Sequence, residues 1–165
     1  MEPEAKMSFG IPRKKVYRKA ASKKSGKRLT LETMGYKDLV KVLDKEFSMF
    51  VRLCATDNSG IVRCVTCGSF HYWNQITLGH YISRTHHSVR WNLKNVGSQC
   101  SYCNSFKGGE QHKMRAHLVN LHGEEEIKKV EAWADMTKTE TAETLRMKVI
   151  DYREKVKWLK QEKCF

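Results

Sequence analysis

Four cysteines fall into two C-x-x-C pairs, Cys64-Val65-Thr66-Cys67 and Cys100-Ser101-Tyr102-Cys103. Two thiolates separated by two residues can wrap one ion through a tight turn. Four such thiolates make a closed tetrahedral site, which is structural zinc chemistry. Gly68, directly after the first pair, suits the reversed backbone that such a turn needs. A redox C-x-x-C pair is the alternative, but it needs a strand–helix context that the sequence does not display. The pairs are 32 residues apart, against about 15–20 in a compact finger. A hairpin or loop is therefore inserted between them, and function is expected to sit there.

The insertion holds His80, in Leu78-Gly79-His80-Tyr81-Ile82, then Arg84, Arg90, Asn92 and Asn95. Asn104 follows Cys103 directly, and Lys107 comes three residues later. The pattern H-x14-N-x4-C-x2-C-N-x2-K resembles the HNH branch of the ββα-metal nucleases. The longer run is C-x-x-C-G at Cys64 to Gly68, G-H-Y at Gly79 to Tyr81, R-W-N at Arg90 to Asn92 with Asn95, Q-C-x-x-C-N at Gln99 to Asn104, and Lys107 with Gly109. It resembles the NinG (Rap) recombination endonucleases of lambda-like phages over roughly residues 36–135.

The resemblance implies a role for each residue. Phosphodiester hydrolysis needs an activated water, a Lewis acid on the phosphate and charge stabilisation for the leaving oxygen. His80 is the implied general base, since an imidazole held in one tautomer suits that work near neutral pH. The middle Asn, Asn95, braces the loop or orients His80. Asn104 stands at the edge of a zinc-locked turn, and its amide oxygen suits Mg²⁺ or Mn²⁺. The lesser alternative is that it caps the helix that follows. Arg84, Arg90 and Lys107 are expected to hold phosphates. Many HNH nucleases carry an acidic metal ligand immediately before the catalytic His, where this chain has Gly79; NinG-like proteins share the G-H-Y form. A ligand from elsewhere, such as His86 or His87, is one way to complete the ion's shell. Metal binding by His80 itself is another.

The elements that position these groups are legible in the hydrophobic periodicity. Leu39, Val40, Leu43, Phe47, Phe50, Val51 and Cys54 recur at three- and four-residue steps, which predicts an amphipathic helix over 36–54 with Cys54 on its buried face. Asp57-Asn58-Ser59-Gly60 ends it. Short strands are expected near 69–73 and 77–83. Helices are expected from Gly109 to about His122, over 124–135 and over 139–162, with Thr137 and Thr139 as candidate N-caps for the last. Trp73, Trp91, Trp133 and Trp158 read as core anchors, with stacking on a base as a second role for Trp91.

The net charge is +13 and the pI about 9.6, which calls for a polyanionic partner. From Ala5 to Leu31 there is no acidic residue, while Arg13, Lys14, Lys15, Arg18, Lys19, Lys23, Lys24, Lys27 and Arg28 crowd together. Residues 1–30 are expected to be a disordered basic arm that contacts phosphates non-specifically. No apolar run matches a signal peptide or a membrane span, so a soluble intracellular protein is expected, in the host cytoplasm if phage-encoded. Six cysteines in a reducing compartment are then not disulfides.

The expected fold is α+β. A zinc-stapled ββα-metal (HNH-like) core within residues 31–135 is flanked by helices, preceded by the arm and followed by a C-terminal helix in 136–165. The expected function is a Mg²⁺- or Mn²⁺-dependent DNA endonuclease with structural Zn²⁺. Action on Holliday junctions and D-loops in phage recombination is implied by the resemblance alone. The alternatives are a non-catalytic zinc module that only binds nucleic acid and a zinc module for protein contacts. A homodimer is compatible with a symmetric junction.

Overall fold

The computed structural model describes residues 30–163. The basic arm from Arg13 to Arg28, and Cys164, lie outside the described residues. The element order is α1 (Tyr36–Cys54), β1 (Ile61–Arg63), β2 (Phe70–Tyr72), β3 (Thr77–His80), a 3₁₀ turn (Leu93–Asn95), β4 (Val96–Gln99), a π-helical turn (Tyr102–Phe106), α2 (Gln111–His122), α3 (Glu124–Ala134) and α4 (Ala142–Glu162). The protein is mixed α+β. Among the described residues, no helix is long and apolar enough to cross a membrane.

The helix period expected for α1 is realised, with Leu39, Leu43, Phe47 and Leu53 buried. They meet α4, a partner from the far end of the chain. Leu39 and Leu43 pack on Leu145 and Val149, and the Phe47 ring meets Tyr152 edge to face at 5.2 Å. The α4 helix starts later than expected. Thr141 is its N-cap and accepts from the Thr144 amide, whereas Thr137 and Thr139 lie in the preceding loop. Cys54 also departs from expectation. It is exposed, because α1 ends there and the adjacent Leu53 takes the buried place. Trp133 and Trp158 are exposed as well, at 43 % and 59 %, so they do not anchor the core.

The strands form two separate antiparallel pairs. In the first, Ile61 faces Tyr72 and Arg63 faces Phe70; in the second, Thr77 faces Gln99 and His80 faces Val96. The strands β1 and β4 carry little alternation over three and four residues, which is why they escape a periodicity reading. Behind the second pair, Met114 and Leu118 of α2 pack on Ile127 of α3. Three glutamates, Glu124 to Glu126, open α3, where negative charge complements the helix N-terminus.

Candidate active site and metal centre

The two C-x-x-C turns come together. The Sγ atoms of Cys64, Cys67, Cys100 and Cys103 all lie within 4.8 Å of one another. The first turn follows β1 and the second follows β4, so the cluster joins the two strand pairs. Gly68 has φ +78, and its amide donates to the Cys64 carbonyl at 2.9 Å. This closes the first knuckle in a backbone region that L side chains avoid. Backbone amides then reach the sulfurs, from Cys100 to Cys64 Sγ at 3.3 Å and from Cys103 to Cys100 Sγ at 3.4 Å.

The donor set fits one zinc ion. A tetrahedron with Zn–S bonds of about 2.3 Å has S···S edges of about 3.8 Å, and Cys67 and Cys100 are 3.8 Å apart. Burial raises the Cys64 thiol, but hydrogen bonds from the Thr66 hydroxyl and from the amides of Cys100, Cys67 and Thr66 outweigh it and bring it down to about 6. Thr66 also pulls on Cys103. There burial and the neighbouring thiols win, pushing it up to about 12. A metal ion bound there would displace protons from the thiols.

His80 ends β3, half-buried. Its Nε2 lies 3.0 Å from the backbone carbonyl of Arg90. A carbonyl only accepts, so Nε2 carries the hydrogen and Nδ1 is left as the basic nitrogen. Burial pushes the His80 pKa below its ordinary value, against the raising effect of the Arg90 carbonyl. Arg90 itself is fixed by Asp44 on α1, with Nε at 3.0 Å and Nη2 at 2.6 Å from the carboxylate. Trp91 Nε1 donates to the same Asp44 at 2.9 Å. The guanidinium of Arg90 is thus engaged inside the protein, and it positions the β3–β4 loop.

Asn95 is fully buried. Its Oδ1 accepts from the Ile82 amide at 2.8 Å, and its Nδ2 donates to the carbonyls of Ile82 and Val89, each at 3.0 Å. Every polar atom of the side chain is spent on closing the loop between β3 and β4. Asn104 lies in the π-helical turn. Its Nδ2 donates to Thr77 Oγ1 at 3.0 Å and to the Leu78 carbonyl at 3.2 Å. The amide is thereby pinned to β3, with Oδ1 as its remaining acceptor.

His80, Arg84 and Asn104 line one cavity of about 280 Å³, together with Leu78, Ser83, Gly108, Gly109 and Gln111. Asn95 and Arg90 are not among its lining residues. Lys107 pairs with Glu110 at 3.3 Å and lies over the Tyr102 ring. The histidines of the loop are not brought to this cavity. His86 and His87 line a different one, and His86 Nδ1 is 3.0 Å from the carbonyl of Ala134, at the end of α3.

Gly79 faces away from the cavity. It pairs with Gly97, and a Cβ at Gly79 would stand 2.0 Å from Gln99 Oε1 and 2.8 Å from Met114 Cε. An acidic side chain before His80 has no room there. Gln99 is fully buried, and its Nε2 donates to the Gly109 carbonyl at 2.7 Å. Sequence reasoning missed Asp44 and Gln111, and took in Gln99 as part of the Q-C-x-x-C-N motif without giving it a role. Asp44 carried a faint signal as the carboxylate beside Leu43 on α1; Gln111 carried none.

A family model described as Bacteriophage Lambda NinG protein matches residues 8–162. No curated protein and no solved structure matches the chain. The match takes in both cysteine knuckles, His80, Asn95, Asn104 and all four helices. The chain belongs to the family of the bacteriophage lambda NinG protein.

Proposed function

We propose that the chain is an HNH-type, divalent-metal-dependent DNA endonuclease acting on branched recombination intermediates such as Holliday junctions and D-loops. The observation that carries this reading is the convergence of His80, Arg84 and Asn104 on one cavity, with His80 fixed in the Nε2–H tautomer by the Arg90 carbonyl and kept toward its neutral form by burial. Branch specificity rests on the family likeness.

Nδ1 of His80 takes the proton of the attacking water, and the Arg90 carbonyl keeps the ring in the tautomer that allows it. Arg84 neutralises the phosphate that enters the cavity. Asn104 Oδ1 is the protein's ligand for Mg²⁺ or Mn²⁺, which supplies Lewis-acid charge at the scissile phosphate when bound. The remaining side-chain oxygens on the lining are Ser83 Oγ and Gln111 Oε1. Such a sparse oxygen set suits an ion that keeps several waters and takes its other ligands from phosphate. The ion should therefore bind together with DNA.

The lack of a carboxylate among the lining residues favours a second reading, a zinc module that binds DNA without cutting it. One experiment separates them: cleavage of a labelled four-way junction and its linear duplex with Mg²⁺, with Mn²⁺ or without either ion, for the parent and His80→Ala. Metal-dependent cutting of the junction that His80→Ala abolishes while still binding supports the nuclease. Cutting of both substrates removes the branch specificity. Tight binding with no cutting under either ion assigns the binding module.

A further inference from the structure

A further cavity, of about 760 Å³, is lined by the β3–β4 loop together with residues of α3, α4 and the segment between them. We propose that it is a slot for unpaired nucleobases of a single DNA strand; this rests on DNA being the partner, and not on cleavage. Its volume lies within the roughly 300–1,000 Å³ usual for small-molecule sites. Trp91, Leu93, Trp133, Met136 and Tyr152 supply apolar walls. Trp133 is 43 % and Met136 62 % exposed, so part of this surface has no covering among the described residues. An exposed aromatic ring beside lysines is suited to stacking on a base.

The polar lining narrows the ligand. Lys94, Lys138 and Lys148 stand against one carboxylate, Glu140. That carboxylate is 6 % exposed and is held by Lys148 at 2.7 Å and Lys138 at 3.4 Å. Lys94 is paired with Glu126 and Lys148 also lies over the Trp91 ring at 5.7 Å, so the slot offers the exposed ring of Trp133, a lysine-rich rim and a buried acceptor. An unpaired base with its flanking phosphates matches all three, through stacking, ion pairing and an exocyclic amine. A duplex hides the faces of its bases and cannot use the walls.

The slot and the His80 cavity share one loop. Ser83 and Arg84 line the first cavity described, and His87, Ser88 and Trp91 line the slot. Two residues, Thr85 and His86, separate Arg84 from His87, a span of at most about 11 Å when extended. A strand with a phosphate at Arg84 therefore continues toward Trp133. The slot gives the protein a grip on strands that leave a duplex.

The test is fluorescence anisotropy with a labelled single-stranded oligonucleotide and a hairpin duplex, without added Mg²⁺ or Mn²⁺, so that cutting plays no part. Trp133→Ala should weaken single-strand binding about tenfold and leave duplex binding unchanged, and Trp133→Phe should restore most of it. Zinc content and the thermal melt of each variant check folding. Equal loss on both DNAs would make the groove a plain phosphate surface and overturn the proposal. Unchanged single-strand affinity in Trp133→Ala overturns it too. So does a loss of self-association on light scattering with DNA affinity retained, which would assign the face to a second copy of the chain.

Discussion

His80 gives its Nε2 hydrogen to the backbone carbonyl of Arg90 at 3.0 Å, ten residues along the chain. The bond decides which nitrogen is basic, and burial decides when it is basic, by lowering the His80 pKa below the usual 6.5. The neutral ring is the proposed base. Cleavage should therefore stay at its plateau through pH 6.5 and decline only as pH falls through the lowered pKa. Stability follows the same sign. A neutral buried histidine contributes fully above the unfolded value, and that contribution falls as pH drops from there toward the folded value. Rates on a junction substrate between pH 5 and 8 check the first point; an acid limb centred above 6.5 would contradict it.

Asp44→Asn tests how that carbonyl is held. Asp44 touches neither the cavity nor the proposed ion, yet it anchors Arg90 and Trp91. Its charge also raises the His80 pKa. Removing it should lower the maximal cleavage rate, leave DNA affinity near that of the parent, and move the acid limb further down in pH. A variant with a reduced rate but an unmoved acid limb would show that Asp44 acts through stability alone.

Asn95→Ala should remove three hydrogen bonds that close the β3–β4 loop. Unpaired buried backbone groups cost about 1–3 kcal/mol each where water cannot reach them. The expected outcome is a clear fall in melting temperature and loss of cleavage together. Asn95→Asp should be no better, because a carboxylate would face the carbonyls of Ile82 and Val89. Denaturant melts of both variants decide this; an unchanged midpoint would leave Asn95 without the bracing role.

What the sequence disclosed depended on how local the signal was. The four cysteines could be grouped because turn spacing is a local property, and the four helices could be expected, α1 and α4 most plainly, because a helical apolar pattern is local too. Registers across distant segments left no such trace. The pairing of Gly79 with Gly97, the grip of Asp44 on Arg90 and the packing of α1 on α4 each join residues that no periodicity connects. The same holds for Trp133, whose aromatic character suggested a core anchor while its place at the end of α3 leaves it exposed. His80 and Asn104 were visible through a motif, but their meeting in one cavity needed the hairpin register.

Gly79→Asp would restore the acidic residue that many HNH nucleases carry before the catalytic histidine. It should damage this protein, because its Cβ would collide with Gln99 Oε1 and Met114 Cε. Any relaxation would place a carboxylate in the interior beside an acceptor that already lacks a partner. Gly79→Ala should share most of the loss, so the effect belongs to space rather than charge. Melting curves and Mn²⁺ titrations with bound DNA check both; tighter ion binding by Gly79→Asp at parental stability would overturn this account of the glycine.

Cys103→Ser should separate the two halves of the core. The cluster ties the turn after β1 to the turn after β4, and the apolar residues nearest it are few, chiefly Val62 and Ile76. With Cys64 brought down to about 6 and Cys103 pushed up to about 12, zinc binding near neutral pH must release protons, and its affinity must fall as pH falls. The α1–α4 pair has its own apolar contacts in Leu39, Leu43, Leu145 and Val149. Loss of zinc should therefore erase the near-ultraviolet signal of the central region and abolish DNA cleavage, while a substantial helical signal survives. Circular dichroism of the variant, and of the parent after chelation, checks this. A melt that chelation leaves untouched would mean that packing around Val62 and Ile76, and not the metal, holds the knuckles together.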